Sequence, residues 1–476
     1  MKKIFISGNF EFIQPGHVRL FKYAKEIGGS LIVGVFSDFL IDSKAKFHEQ
    51  ERVDSLKANI FVDEVVLISN SLIETLKAIK PNIVIKGVEF EHQENVEEKI
   101  LEEWGGKLIF NSGDPSYSDD LQFENNLSEN LKAKLQHDRG FLSRNNISFL
   151  TLQDTVTKFK NLEGIVLGDT ILDEYINCDA LGLSREDFNV VYQPKNELMF
   201  AGGSAIVAKH CAALSKRVHF FSLVGTDLGG EWIDLNLNNV NLIKHLFHDE
   251  TSKTTLKQRF RHNNNTIFRL TKQNTTQLPK EIASVILSQV KKIISNVDFI
   301  IICDFGYGMI SEFLVSELLE LAKKFDVFVA ADAQVSSQIT NLRKFTNVEI
   351  IAPTEYEARA FLSDPNSGIA HLSKKLLSST QIKNVILTLG SEGCLVDSKI
   401  NLQHSKNSEV IHALNKHPVD IAGAGDSLLV VSTLAQIVNP NLLESAYLGS
   451  IAAGIQISSL GNRPIQTNQL LEALKN

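Results

Sequence analysis

The chain has 476 residues, 43% of them hydrophobic and 22% charged, with a formal net charge of −8. That length supplies two or three domains with cores of their own, and the composition is that of globular protein. An acidic balance argues against a general nucleic-acid surface, and no apolar run reaches membrane-spanning length, so neither nucleic acid nor a membrane is an expected partner. Met1-Lys2-Lys3 precedes too few apolar residues to be a signal peptide. Cys178, Cys211, Cys303 and Cys394 are widely scattered, with no zinc or disulfide spacing, and read as reduced core residues of a cytoplasmic protein.

Residues 1–121 read as a first domain. Ile4-Phe5-Ile6 predicts a short strand running into Ser7-Gly8-Asn9-Phe10-Glu11. Gln14-Pro15-Gly16-His17 then opens a helical pattern through Val18, Leu20, Phe21, Ala24 and Ile27. Pro15 suits a helix start, and Gly16 lets a ligand approach the backbone. Leu31–Val35, Val65–Ile68 and Ile83–Ile85 predict buried strands, with a helix over Leu72–Ile79. Strand alternating with helix is the pattern of a doubly wound parallel sheet, and ligands sit at the carboxyl ends of its strands, where the loop at 7–17 lies.

These residues resemble the cytidylyltransferase-like nucleotidyltransferases. Gly8-Asn9-Phe10-Glu11 through Gly16-His17 is similar to their first signature, with Gln14 where the family has a first histidine. Arg52 matches an arginine placed before the next helix, Ile85-Lys86-Gly87 a Lys-Gly loop, and Ser116-Tyr117-Ser118 a phosphate-binding turn. The resemblance implies attack by a phosphate on the α-phosphate of ATP or CTP, releasing pyrophosphate. His17 at a helix start then donates to that phosphate, while Lys86 and Arg52 hold the triphosphate. Glutamine donates a hydrogen bond but carries no imidazolium charge, so a catalytically degenerate domain kept for binding or assembly stays open.

Residues 122–150 are polar, with weak helical spacing at Leu127, Leu131 and Leu135, and read as a linker with one short helix. Residues 151–476 read as the second domain. A helix is expected over Thr151–Phe159, then a strand ending in Gly168-Asp169. Val190–Phe200 and Thr255–Leu270 alternate as strands of a small sheet outside the core. Ala201-Gly202-Gly203-Ser204 turns into a helix through Ala208 and Ala212. Buried strands follow at Phe299–Asp304, Val327–Asp332, Glu349–Pro353 and Val385–Gly390, again a doubly wound parallel sheet. Asp420-Ile421-Ala422-Gly423-Ala424-Gly425-Asp426-Ser427 then feeds a long apolar helix. A bare glycine turn at a helix start offers free amides and the positive end of the dipole to a phosphoryl group, and Asp426 at its rim can accept a hydroxyl proton.

In this order the segments resemble the ribokinase-like (PfkB) sugar kinases. The resemblance assigns Asp169 and Asp173 to sugar hydroxyls, Gly202-Gly203 to the substrate loop, and Glu357 to magnesium, with Thr354 where the family carries asparagine. It assigns Thr388, Gly390 and Gly393 to the nucleotide loop, Gly423-Ala424-Gly425 to the transferring phosphate, and Asp426 to catalysis. It also implies ATP and Mg2+ as donor and cofactor, and a homodimer through the small sheet. A kinase of this kind joined to a cytidylyltransferase-like domain resembles the bifunctional heptose enzymes of lipopolysaccharide precursor synthesis, with the domain order reversed. That implies phosphorylation of a heptose 7-phosphate-like sugar at C1, then nucleotidyl transfer giving an ADP-heptose-like NDP-sugar. A non-catalytic scaffold is the third reading, and the intact Asp426 segment argues against it.

Overall fold

The computed structural model describes residues 2–11, 13, 17, 20–21, 24–25, 29–41, 47–87, 95–111, 135–184, 189–249, 252–262, 265–273, 276–333, 342–404 and 408–475. The chain divides into two compact units, Met1–Asn125 and Asn126–Asn476.

In the first unit β1 (Lys2–Gly8), β2 (Gly29–Phe36), β3 (Glu64–Ile68), β4 (Ile83–Gly87) and β5 (Lys107–Asn111) form a parallel sheet in the order β3-β2-β1-β4-β5. Its apolar runs are continuous because both faces are covered. Ile4, Ile6, Leu31 and Val33 pack on one side, and Phe5, Ile32, Ile68 and Val84 on the other. The order reverses between β1 and β4, so the loop after β1 leaves at the point where such sheets take their ligands. The helix Leu72–Ile79 has the expected bounds, capped by Ser71 and closed by Lys80 in the left-handed conformation. His17, Leu20, Phe21, Ala24 and Lys25 are helical. β5 was not among the expected elements, and the helix expected after Arg52 starts ahead of it, at Glu49.

The second unit holds a nine-stranded sheet. β6 (Glu163–Gly168), β9 (Arg217–Gly225), β10 (Leu242–Asp249), β13 (Phe299–Asp304), β14 (Phe328–Ala333), β15 (Ile350–Ile351), β16 (Asn384–Thr388), β17 (Cys394–Ser398) and β18 (Glu409–Ile411) run in the order β10-β9-β6-β13-β14-β15-β16-β17-β18. It is parallel as far as β16, and the last two strands are antiparallel. The reversal falls between β6 and β13, so Asp169, Asp304 and Asp332 come together at the carboxyl ends of β6, β13 and β14. A separate four-stranded sheet, β12-β11-β7-β8, is built from β7 (Thr170–Leu183), β8 (Val190–Gly203), β11 (Thr255–His262) and β12 (Asn265–Lys272). β7 is a full strand in it, beyond the two-strand expectation; it pairs with β8 along its length, its first half buried continuously and its last five residues exposed.

The segment expected as a linker differs from residue 135 onward. Leu135, Phe141, Leu142 and Ile147 are buried in the second unit's core. Phe141 stacks parallel on Tyr447 at 5.7 Å between ring centroids. His137 reaches the Tyr447 hydroxyl at 3.0 Å and the Ala473 carbonyl at 2.9 Å. Polar residues carry the outer face of this segment and conceal the widely spaced apolar anchors that hold it down. All four cysteines are buried free thiols.

Candidate active sites

In the second unit, helix Ala424–Val438 begins from Gly423, whose φ of 75° an L side chain rarely adopts. Its first amides have no partner within the helix, and a Cβ placed on Gly425 meets nothing within 4 Å, so space lies open above them. The helix is apolar on most sides and buried over Asp426–Ala435, which fixes its first turn rigidly. Asp426 is 7% exposed, and its Oδ1 is buried without a hydrogen-bond partner. Burial raises its carboxyl to about 7, Asp173 and Glu357 add to the shift, and Lys257 opposes it. Asp332 is pushed well above the ordinary range by burial first, then by Asp426, Glu357 and Asp304. Acids that resist ionising together, gathered at the strand ends, mark a place built for a cation or for proton transfer.

Asp173 joins this cluster from β7. Its Oδ1 meets Arg259 Nη1 at 2.5 Å, and its Oδ2 accepts from Asn462 Nδ2 at 2.9 Å. Gly202 passes so close that any Cβ there would collide with the Asp173 carboxylate. The Gly-Gly turn therefore serves the carboxylate's position as well as the chain's. Tyr175 donates to Asp420 Oδ2 at 2.7 Å, and Asp420 also accepts from the Gly461 amide at 3.0 Å, which ties the entry of the glycine turn to β7.

Asp169 is placed differently from its assigned partner. Its carboxylate accepts from the amides of Phe305, Tyr307 and Met309 at 2.9, 3.1 and 2.9 Å. Burial, with Asp304 next, raises it to about 6 against the pull of those amides. It staples the loop after β13 rather than presenting free oxygens to a sugar. Glu357 is 7% exposed and forms a capping box, its Oε2 accepting from the Thr354 amide at 2.7 Å. Thr388 donates its hydroxyl to the Pro353 carbonyl at 3.3 Å, and Gly390 and Gly393 take positive φ around the turn that follows. Arg259, Lys257, Asn462 and Asp332 were not among the sequence candidates. The alternation Lys257-Gln258-Arg259-Phe260-Arg261 was the available signal for two of them.

In the first unit, Arg52 lies inside the helix Glu49–Lys57 rather than before it, and its side chain is 1% exposed. Its Nε donates to Phe47 O at 3.1 Å, its Nη1 to Asn9 O at 2.6 Å and Phe36 O at 3.0 Å, and its Nη2 to Asp38 at 2.5 Å. The expected triphosphate contact is thus replaced by a latch that holds the loop after β1 against β2. Lys86 Nζ sits 2.7 Å from Glu97 and 2.9 Å from Asn95 Oδ1. His17 meets the Phe10 ring edge to face at 5.1 Å between centroids. Phe10 is buried with a φ of 49°, and it underlies Gly8. Gln14, Gly16, Ser116 and Ser118 lie outside the described residues.

Comparison with known proteins bears on both units. Residues 5–111 match the cytidylyltransferase-like family, ahead of a pfkB match over residues 164–468. Proteins named bifunctional protein HldE are similar over 305 to 323 residues. That of Helicobacter hepaticus is 23% identical over 65% of this chain and 63% of its own length. That of Haemophilus influenzae is 25% identical over 67% and 64%, and that of Campylobacter fetus 24% over 63% and 63%. The chain spans less than two thirds of the length of these relatives. Escherichia coli phosphofructokinase-2 in complex with substrates and products shares the fold, with a TM-score of 0.54 and 17% identity over 66% of this chain and 98% of that one. Arabidopsis thaliana ribokinase complexed with ribose and ATP does so with a TM-score of 0.52 and 17% identity over 66% and 99%. With its family pattern spanning most of the chain and its acid-lined glycine turn at the sheet's carboxyl edge, the protein belongs to the pfkB family of carbohydrate kinases.

Proposed function

We propose that the chain is a bifunctional transferase that phosphorylates a sugar phosphate, heptose 7-phosphate-like and at C1, with ATP, and then transfers a nucleotidyl group to the resulting sugar 1-phosphate. One observation carries the kinase half: a buried carboxylate oxygen, Asp426 Oδ1, stands without a partner beside an uncovered helix start. The carboxylate takes the proton of the sugar hydroxyl as its oxygen attacks the γ-phosphate of ATP, and ADP leaves. The amides of Ala424 and Gly425 face the charge that grows on the transferring group.

Mg2+ fits the residues present. Burial first, then Asp426 and Glu357, hold the Asp332 carboxyl up, and burial with Asp173 and Glu357 does so for Asp426; the like-charge part is a penalty that a divalent cation removes. No group of three metal-ligating side chains is preassembled among the described residues, which suits an ion carried in on the triphosphate with its waters. Bound there, it would neutralise phosphate charge.

For the second half we assign His17, which is helical, and Lys86, in β4, to the α-phosphate of ATP or CTP. The sugar 1-phosphate attacks it and pyrophosphate leaves. The relatives called bifunctional support this pairing. The small sheet exposes apolar side chains, among them Leu198, Met199, Ile267 and Phe268, and we assign it the contact of a homodimer. A cytoplasmic location suits the free thiols, and no described helix is long and apolar enough to cross a membrane.

The test supplies ATP or CTP with Mg2+ and a panel of sugar phosphates, reading ADP and pyrophosphate separately. Both products are expected, and His17→Ala should remove pyrophosphate while sparing ADP. ADP alone from the unaltered protein would instead make the first unit a binding or assembly module. Neither product across the panel would end the enzymatic reading.

A further inference from the structure

We propose that Asn462 is a positioning residue of the kinase reaction, its side-chain amide holding Asp173 in the orientation that receives the sugar. This rests on the kinase reading and adds a residue to its sugar site. Asn462 lies in the segment after helix Leu442–Gln456, and the backbone delivers it. The preceding Gly461 donates its amide to Asp420 Oδ2 at 3.0 Å, and its carbonyl accepts from Gln456 Nε2 at 3.0 Å. Both polar groups of that residue are thus spent on placement. Its φ of 72°, and the Phe200 ring standing where a Cβ would go, confine the position to glycine. Asn462 itself is 6% exposed.

Its amide sits between the two glycine turns. Nδ2 donates to Asp173 Oδ2 at 2.9 Å. A Cβ on Gly202 would lie 3.4 Å from that nitrogen, and one on Gly423 would lie 2.5 Å from Oδ1. An ionised carboxylate only accepts, so the nitrogen faces Asp173 and the oxygen faces Gly423. That oxygen is buried and has no hydrogen-bond partner. A buried carbonyl oxygen without a donor is a cost, and leucine has the same branched shape without it. Packing therefore does not account for the amide, whereas the bond from its nitrogen does.

Asp173 is gripped at both ends. Arg259 Nη1 meets Oδ1 at 2.5 Å while Asn462 takes Oδ2, so the carboxylate cannot turn, and each oxygen keeps a lone pair for a sugar hydroxyl. The charged and titratable groups that face it are Arg259 from β11, Tyr175 from its own strand and Asp426 from helix Ala424–Val438. Asn462 is a neutral donor beside these charges, and it fixes Asp173 without adding to the repulsion. A carboxylate held in place beforehand loses no rotamer freedom when the sugar arrives, which favours sugar binding. The contact serves the sugar and not the nucleotide, and this separates it from a general role in folding.

The experiment measures ADP release with ATP and heptose 7-phosphate, or whichever sugar phosphate of the panel gives ADP, each varied in turn. The proteins are the unaltered chain, Asn462→Leu and Asn462→Asp, and KM does not depend on the fraction of protein that folds. Asn462→Leu should raise the KM for the sugar by roughly 10–100-fold, the loss of a hydrogen bond to a charged group, and leave the KM for ATP within about twofold. In Asn462→Asp the introduced carboxyl donates to Asp173 only while it holds a proton. Its sugar KM, as a ratio to that of the unaltered protein at the same pH, should be lowest near pH ~5.5 and climb toward pH ~8.5. The ratio cancels the titration of Asp426 that both proteins share. An unchanged sugar KM in Asn462→Leu, or an ATP KM that rises in step with it, overturns the proposal and leaves the kinase reading standing. Should Asn462→Leu fail to fold, a ratio flat across pH in Asn462→Asp overturns it alone. Failure of the unaltered protein to release ADP with any sugar of the panel overturns both.

Discussion

The two units share a doubly wound sheet but differ in how the charge of their candidate reactive residues is met. In the first, the cations that resemble phosphate ligands are answered from within: Arg52 by Asp38 and three carbonyls, Lys86 by Glu97 and Asn95. In the second, carboxylates face one another at the strand ends, and Asp426 keeps an oxygen with no partner at all. An internally satisfied charge contributes stability and little reactivity. An unsatisfied one costs stability and is poised for chemistry. The contrast teaches that a matching residue type at a matching position does not make a ligand, and that its neighbours decide.

The sharpest way to break the comparison is Asp426→Asn. Kinase turnover should fall by at least about 10³-fold, while pyrophosphate release from supplied sugar 1-phosphate persists. Loss of both activities would argue that the sites are not independent. Since the base must be ionised, kcat/KM of the unaltered kinase should fall about tenfold per pH unit below about 7, the value to which burial lifts this carboxyl. Stability should run the other way. A carboxyl raised in the folded state favours its neutral form, so its contribution is present at low pH and is lost as pH climbs through about 7. Asp426→Asn should therefore melt higher than the unaltered protein at pH 8, with the gap closing toward pH 5. A gap that widens on acidification would mean the carboxylate is stabilised in place, contrary to its lack of partners.

Next in size is Arg52→Gln. If the side chain is a latch, the first unit should lose about 3 kcal/mol, at the lower end of what removing one member of a buried charged network costs, because Asp38 keeps partial access to water. The measurement is urea unfolding of the full chain, followed by a probe in the first unit. A stable variant whose KM for nucleoside triphosphate rises instead would return Arg52 to the triphosphate. Smaller again is Glu97→Gln. Relieving Lys86 of its carboxylate should lower the KM for nucleoside triphosphate a few-fold in the pyrophosphate assay, and an unchanged KM would place the triphosphate away from Lys86.

Much of this was legible because strands buried on both faces leave long apolar runs that few other structures produce. Phe299–Asp304 was read to its exact bounds, as was the helix Leu72–Ile79. The glycine turn before Asp426 was legible because bare backbone beside an apolar helix is rare without a reason. What escaped detection depended on distant partners. Nothing local in Asn462 announces Asp173, 289 positions away, and nothing around Asp169 says that its oxygens go to amides beyond β13. Phe141 was hidden among polar neighbours, and Leu135 was read only as part of a weak helical spacing within a linker, since isolated apolar anchors make no strong periodic pattern. Arg52 misled in another manner. Its sequence position suits a phosphate ligand, and only the carbonyls converging on it reveal a structural bond.

Thr354 supplies the finest test, because the resembled kinases carry asparagine there and both residues can cap a helix. The Thr354 hydroxyl accepts from the Glu357 amide at 3.2 Å while Glu357 accepts from the Thr354 amide, so the carboxylate proposed for magnesium is oriented by backbone more than by the Thr354 side chain. Thr354→Asn should then shift stability by less than about 0.5 kcal/mol and leave the Mg2+ dependence of ADP release within twofold. Thr354→Ala should cost about 1 kcal/mol through the lost cap. Denaturation midpoints and a Mg2+ titration read both. A marked change of Mg2+ dependence in Thr354→Asn would show that the side chain itself meets the metal's waters, and the carboxylate cluster would then have to be extended by a neutral ligand.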